Sequence, residues 1–133
     1  MKMRLLDIQP SQLYISEAKL RDVESWLNRD TASSYAALQV KQLNGRVILT
    51  DGHTRALTLH RLGFETVRVE WDTDDLDWEA YQICVDWCVS EGISNVTHLA
   101  NRIISAEDYE RLWHDRCRQM QAELKEKRQR EGQ

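Results

Sequence analysis

Leu38-Gln39-Val40-Lys41-Gln42-Leu43-Asn44-Gly45-Arg46-Val47-Ile48-Leu49-Thr50-Asp51-Gly52-His53-Thr54-Arg55-Ala56-Leu57 is the stretch from which the fold can be worked out. Two β-prone runs flank Asn44-Gly45, and this dipeptide accepts the positive φ that a type I′ turn requires at both central positions. The pattern predicts a hairpin of strands over 38–42 and 46–50. After Asp51-Gly52 the apolar period changes from two to about 3.6. Ala56, Leu57, Leu59 and Leu62 then share one side of a short helix over 53–62, and Gly63 offers its C-cap.

Working outward, Leu5-Leu6-Asp7-Ile8 reads as a short strand stopped by Pro10, which has no N–H for a ladder. Ser16 fits a helix N-cap, with Ile15 and Leu20 as a hydrophobic staple, and Leu20, Val23, Trp26 and Leu27 give helical spacing over 17–28. Residues 31–37 form a loop, and Val67, Val69 and Trp71 alternate as a further strand. Beyond an acidic stretch near residue 74 the chain reads as helical. Trp78, Tyr81, Cys84, Val85 and Cys88 share a face of a helix ending near Gly92, and a short helix follows over 95–103. Ser105 and Asp108 resemble a capping box that opens a long helix through Tyr109, Trp113, Met120 and Leu124, whose last turns thin to charge and fray. The expected class is α+β, a small mixed sheet with helices followed by a C-terminal helical extension. Residues 1–74 and 75–133 are either two units or one domain.

With 133 residues, 41% hydrophobic and 30% charged, the composition is that of a globular chain able to bury a core without disulfides. No apolar run approaches the roughly 18 residues of a membrane span and the start has no signal-peptide core, so no membrane and a cytoplasmic location are expected. Cys84, Cys88 and Cys117 read as reduced thiols. A zinc site built on Cys84 and Cys88 would need Cys117, His98 or His114 to complete it, and buried packing is the commoner use of such cysteines. No resident metal is expected. His60 reads as a packing or surface histidine. Trp71, Trp78, Trp87 and Trp113 are expected to join the helical half to the sheet, and that half could also offer a protein partner an aromatic surface.

The net charge of −4 argues against a general nucleic-acid binder. Acids nonetheless cluster at Glu70, Asp72, Asp74, Asp75, Asp77 and Glu79, and bases at Arg116, Arg118, Lys125, Lys127, Arg128 and Arg130. Such runs are usually solvated faces. A basic tail for RNA or DNA is the remaining use.

The chemistry concentrates at Asp51-Gly52-His53-Thr54-Arg55. A helix N-terminus presents backbone N–H groups without intrahelical partners and roughly half a positive charge. Gly52 would let an anion approach the backbone, Arg55 would add a guanidinium fork, and His53 and Thr54 an imidazole and a hydroxyl. The same residues also fit a plain structural turn, with Asp51 capping the helix and Arg55 solvated. Alternatively, Asp51 points outward and helps hold a magnesium ion. No Walker-type loop or Rossmann fingerprint is present.

These residues, with Leu6-Asp7-Ile8-Gln9-Pro10 before them and Leu62-Gly63 and Val67-Arg68-Val69 after, resemble the N-terminal domain of the ParB and sulfiredoxin superfamily over residues 4–71. The resemblance implies a nucleotide phosphate at the turn: ATP, ADP or CTP, with Mg2+ as a possible companion. ParB proteins usually carry Gly-Glu-Arg-Arg there and append a DNA-binding domain for which this chain has little room. Sulfiredoxins carry Gly-Cys-His-Arg, and His53 stands in the place of their reactive cysteine, which removes sulfinic-acid reduction. The Asp-Gly-His-His-Arg turn of the free-serine kinases is nearest, with Thr54 replacing the second histidine. Those kinases use an N-terminal glutamate as general base, for which Glu17 or Glu24 is the candidate here, beside Asp51. The resemblance implies a nucleotide-dependent or plain binding module, with a free-serine-kinase-like phosphotransferase as the alternative.

Overall fold

The structure is a computed structural model that describes residues 1–132, so Gln133 of the expected helical extension lies outside them. β3 (Leu38–Leu43) and β4 (Arg46–Asp51) pair antiparallel across Asn44-Gly45, whose φ values of 49° and 81° are those of the expected turn. A register shift between Gln39 and Val40 places Asp51 opposite Gln39 and delivers the chain into α2 (His53–Arg61). α2 ends as Gly63 N–H donates to His60 O and Phe64 N–H to Leu59 O, the paired bonds of a Schellman motif. The chain then returns as β5 (Thr66–Trp71), parallel to β3.

The sheet order is β1-β5-β3-β4, with β1 (Lys2–Arg4) antiparallel to β5. The first strand is therefore not Leu5–Ile8 as its apolar run suggested. Leu5–Asp7 forms one 3-10 turn, because pairing with Thr66–Arg68 draws the strand three residues earlier. Gln9 covers the free edge of β4, donating its N–H to Val47 O and accepting from Leu49 N–H, both at 2.9 Å. β2 (Ile15–Ser16) leads into α1 (Glu17–Trp26), where Ser16 accepts from Lys19 N–H as the expected cap.

α3 (Trp78–Ser90) follows, capped by Asp77, then a 3-10 segment (Val96–Asn101) and β6 (Ile103–Ile104), which pairs with β2. α4 (Ala106–Tyr109) opens on the Ser105 cap and runs through a π turn (Glu110–His114) into α5 (Asp115–Glu131). The C-terminal turns are helical to Glu131 rather than frayed. Arg128 forks onto Asp77 at 2.9 and 3.0 Å and reaches Glu79 at 2.8 Å. The guanidinium beside them holds both carboxyls below the usual carboxylate range. With Lys127, which also pairs with Glu79, two of the six bases of the basic run meet the acidic run of the same chain.

One cluster of buried residues extends from Leu5 through Leu38, Val40, Leu57 and Val67 to Cys84, Trp113 and Leu124. It crosses the boundary near residue 74, so the helical half shares its core with the sheet. Trp87 and Trp113 meet edge to face at 6.1 Å, and Lys41 lies 4.8 Å over the Trp78 ring, joining α3 to β3. Trp71 does not take part: it is 47% exposed. Among the described residues no helix is long and apolar enough to cross a membrane.

Candidate functional site

Gly52 adopts φ 100°, and a Cβ there would stand 2.6 Å from Leu38 Cδ2 and 2.8 Å from Arg55 Nη2. Both the conformation and the space demand glycine. As the N-cap of α2 it offers no side chain, and the first intrahelical bond runs from Ala56 N–H to Gly52 O at 2.8 Å. The amides at the head of the helix are left for another acceptor.

His53 is buried, and its Nε2 accepts from Ser11 N–H at 3.0 Å. Burial lowers its pKa to about 3, so the ring is neutral and carries its proton on Nδ1. It is a wall of the site rather than a cation. Arg55 is not an open fork either. Its Nη1 donates to Ala36 O at 2.5 Å, Nη2 lies 3.5 Å from Asp51 Oδ2, and only 15% of the side chain is exposed. The guanidinium braces the 31–37 loop against the turn while bordering the cleft. Asp51 is exposed and pairs with Arg55 instead of capping the helix. Thr54 lines the cleft at the helix head.

Glu17 and Glu24 lie elsewhere. Glu17 pairs with Arg21 at 2.7 Å, Glu24 with Arg61 at 3.2 Å, and neither lines the cleft. The face of α1 turned to the site carries Lys19, Asp22, Val23 and Trp26, at i, i+3, i+4 and i+7. With Gln12 and Tyr109 they enclose about 350 Å³ in front of the α2 N-terminus. Lys19 Nζ stands 5.1 Å over the Tyr109 ring, and Trp26 is 41% exposed beside it. Sequence reasoning missed this set. The 19/22/26 stripe was present as a signal, but only the packing of α1 on α2 says which polar face looks at the turn.

A smaller cavity of about 210 Å³ shares Gln12, Thr50 and His53 with the cleft and continues toward Tyr81, Cys84, Trp113 and Cys117. Cys84 on α3 and Cys117 on α5 interact directly there. The hydrogen bond between the thiols holds the Cys117 proton less tightly and the Cys84 proton more tightly than usual. Burial pushes Cys88 up to about 12. No three His, Cys, Asp or Glu side chains converge to hold a metal among the described residues. Asp22 and Asp51 are the carboxylates on the cleft that could contribute to holding a metal.

No protein-family model matches the chain, and no curated protein does. Among solved structures, protein Atu1540 from Agrobacterium tumefaciens is similar with a TM-score of 0.48 and 16% identity, over 79% of this chain and 61% of that one. The chain thus spans less than two thirds of that protein's length.

Proposed function

We propose that this chain binds a nucleotide (ATP, ADP or CTP) or a related phosphate-bearing ligand in the cleft between α1 and the head of α2, as a binding module of ParB/sulfiredoxin type. The supporting observation is the uncapped start of α2, with Gly52 in the left-handed region, opening on a space of about 350 Å³ that Lys19 also borders. Helix-head amides contribute about 0.3–1 kcal/mol and a charge-assisted bond from Lys19 about 1.5–3. Micromolar affinity corresponds to about 8 kcal/mol. The remainder falls to Val23, Trp26 and Tyr109, whose flat and apolar surfaces suit a base better than a bare phosphate.

A small-molecule phosphotransferase is the second reading, favoured by two carboxylates, Asp22 and Asp51, on the same cleft. Asp22 replaces Glu17 and Glu24 as the group placed to accept a proton from a substrate hydroxyl. Magnesium, if it accompanies the nucleotide, would neutralise phosphate charge, with Asp51 among its ligands.

Calorimetric titration with ATP, ADP, CTP and GTP, with and without Mg2+, tests both. Binding that Lys19→Ala weakens about tenfold or more supports the site. Turnover stimulated by a free hydroxy amino acid and lost in Asp22→Asn supports the transferase, and binding without turnover the module. Equal affinity in wild type and Lys19→Ala rejects both.

A further inference from the structure

The far end of α2 opens on a second kind of cavity, of about 340 Å³, bordered by Lys2, Arg29 and Arg68 with hydroxyls from Ser33, Tyr35 and Thr66. No carboxylate lines it. In a chain of net charge −4, where most arginines are ion-paired, none of these three cations takes part in a salt bridge among the described residues. Two of them are held together by the sheet itself: Lys2 and Arg68 are direct cross-strand partners in the β1–β5 ladder. Like charges in that register repel and are destabilising. The fold keeps the repulsion and fixes Arg68 in place. The guanidinium lies 4.7 Å over the Tyr35 ring and donates to Tyr35 O, and the Arg68 N–H donates to the Tyr35 hydroxyl at 2.8 Å. Arg68 Nε is buried without a hydrogen-bond partner. Arg29 reaches in from the loop after α1, its Nη2 beside Gly63.

We infer that this cavity is a second ligand site, for a small, multiply charged phosphate compound. Three cations around one space match several negative oxygens at once, and guanidinium groups pair with phosphate through two parallel N–H bonds. The hydroxyls of Ser33 and Thr66 supply donors to the same oxygens, and Phe64 closes one side as an apolar wall. A singly charged anion would match only one of the three cations, and a planar carboxylate offers two oxygens per centre where a tetrahedral phosphate group offers three. The site is separate from the cleft at the α2 head: the two share no lining residue.

The test is an amide NMR titration of the whole chain with inorganic tripolyphosphate, ATP and citrate, at low salt and at about 0.2 M salt. Tripolyphosphate is expected to move the Lys2, Phe64, Thr66 and Arg68 amides, to bind more tightly than citrate, and to weaken as salt rises. Lys2→Ala with Arg29→Ala should lower the affinity followed at those four amides about tenfold or more. Both positions are on the surface, and an unchanged amide spectrum elsewhere verifies that the double variant is folded. Arg68→Lys, which keeps the charge but loses the fork, should fall between. Shifts confined to Gly52–Thr54, equal affinity for citrate, or an unaltered affinity in the double variant would each overturn the assignment. Loss of ATP binding at the α2 head alone would count against the proposed function and leave this site standing.

Discussion

The two ends of α2 handle charge in opposite ways. At its head, Arg55 is spent on Ala36 and Asp51, His53 is neutral, and Lys19 borders the same space as Asp22 and Asp51. At its tail, Lys2, Arg29 and Arg68 stand around one cavity with no acid among its walls. The head is thus pre-organised by geometry, through a glycine and free amides, and close to neutral. The tail is organised by unbalanced charge. A ligand at the head should be recognised by shape and hydrogen bonds and tolerate salt, whereas one at the tail should be sensitive to it.

The largest expected effect comes from closing the head. Gly52→Ala places a methyl against Leu38 and Arg55 at a φ that L-residues avoid, so unfolding should become easier by about 3 kcal/mol in chemical denaturation. A loss below about 1 kcal/mol would mean that the turn relaxes freely and that its geometry is not rigid.

Next is the pH response of His53. Its pKa is about 3 in the fold against 6.5 when exposed, so the unfolded chain takes up the proton first as pH falls. The stability it contributes is full above pH 6.5 and is lost progressively toward pH 3, which amounts to about 2 kcal/mol between pH 7 and pH 5. His53→Gln keeps an acceptor for Ser11 N–H but does not titrate, so its denaturation midpoints should be flatter over that range. Parallel slopes in the two proteins would show that another group carries the response.

Lys19→Ala should lower nucleotide affinity about tenfold or more, with a stability loss of no more than about 1 kcal/mol from the Tyr109 contact. Smallest of all, Lys2→Glu converts the cross-strand repulsion with Arg68 into attraction. It should raise stability by about 0.5 kcal/mol while abolishing the tripolyphosphate shifts at Phe64, Thr66 and Arg68. A destabilised Lys2→Glu would remove the argument that this charge pair is kept for a ligand.

What could be read from the sequence was local. Asn44-Gly45, Gly52, Ser16 and Ser105 act through their own φ or side chains within a few residues, and each does what its type dictates. What could not be read was set by partners far along the chain. His53 is fixed by the amide of Ser11 and Arg55 by the carbonyl of Ala36, neither of which any motif encodes. Asp22 rather than Glu17 or Glu24 faces the turn because Val23 and Leu20 orient α1 on the core, and both glutamates follow the other edge to Arg21 and Arg61. The first strand moved for the same reason: Leu5 is buried, but β5 pairs with Lys2–Arg4. The basic cavity unites residues from β1, the loop after α1 and β5, so its charges are scattered in the sequence.

In the proposed mode of binding, the free amides at the head of α2 receive a phosphate. Titrating the 15N-labelled chain with ATP and following the amides of Gly52, His53 and Thr54 tests it most directly. Saturable shifts at these three residues that weaken in Lys19→Ala are the expected result. Amides that stay fixed at the head of α2 while ATP binds elsewhere, or does not bind at all, would contradict it.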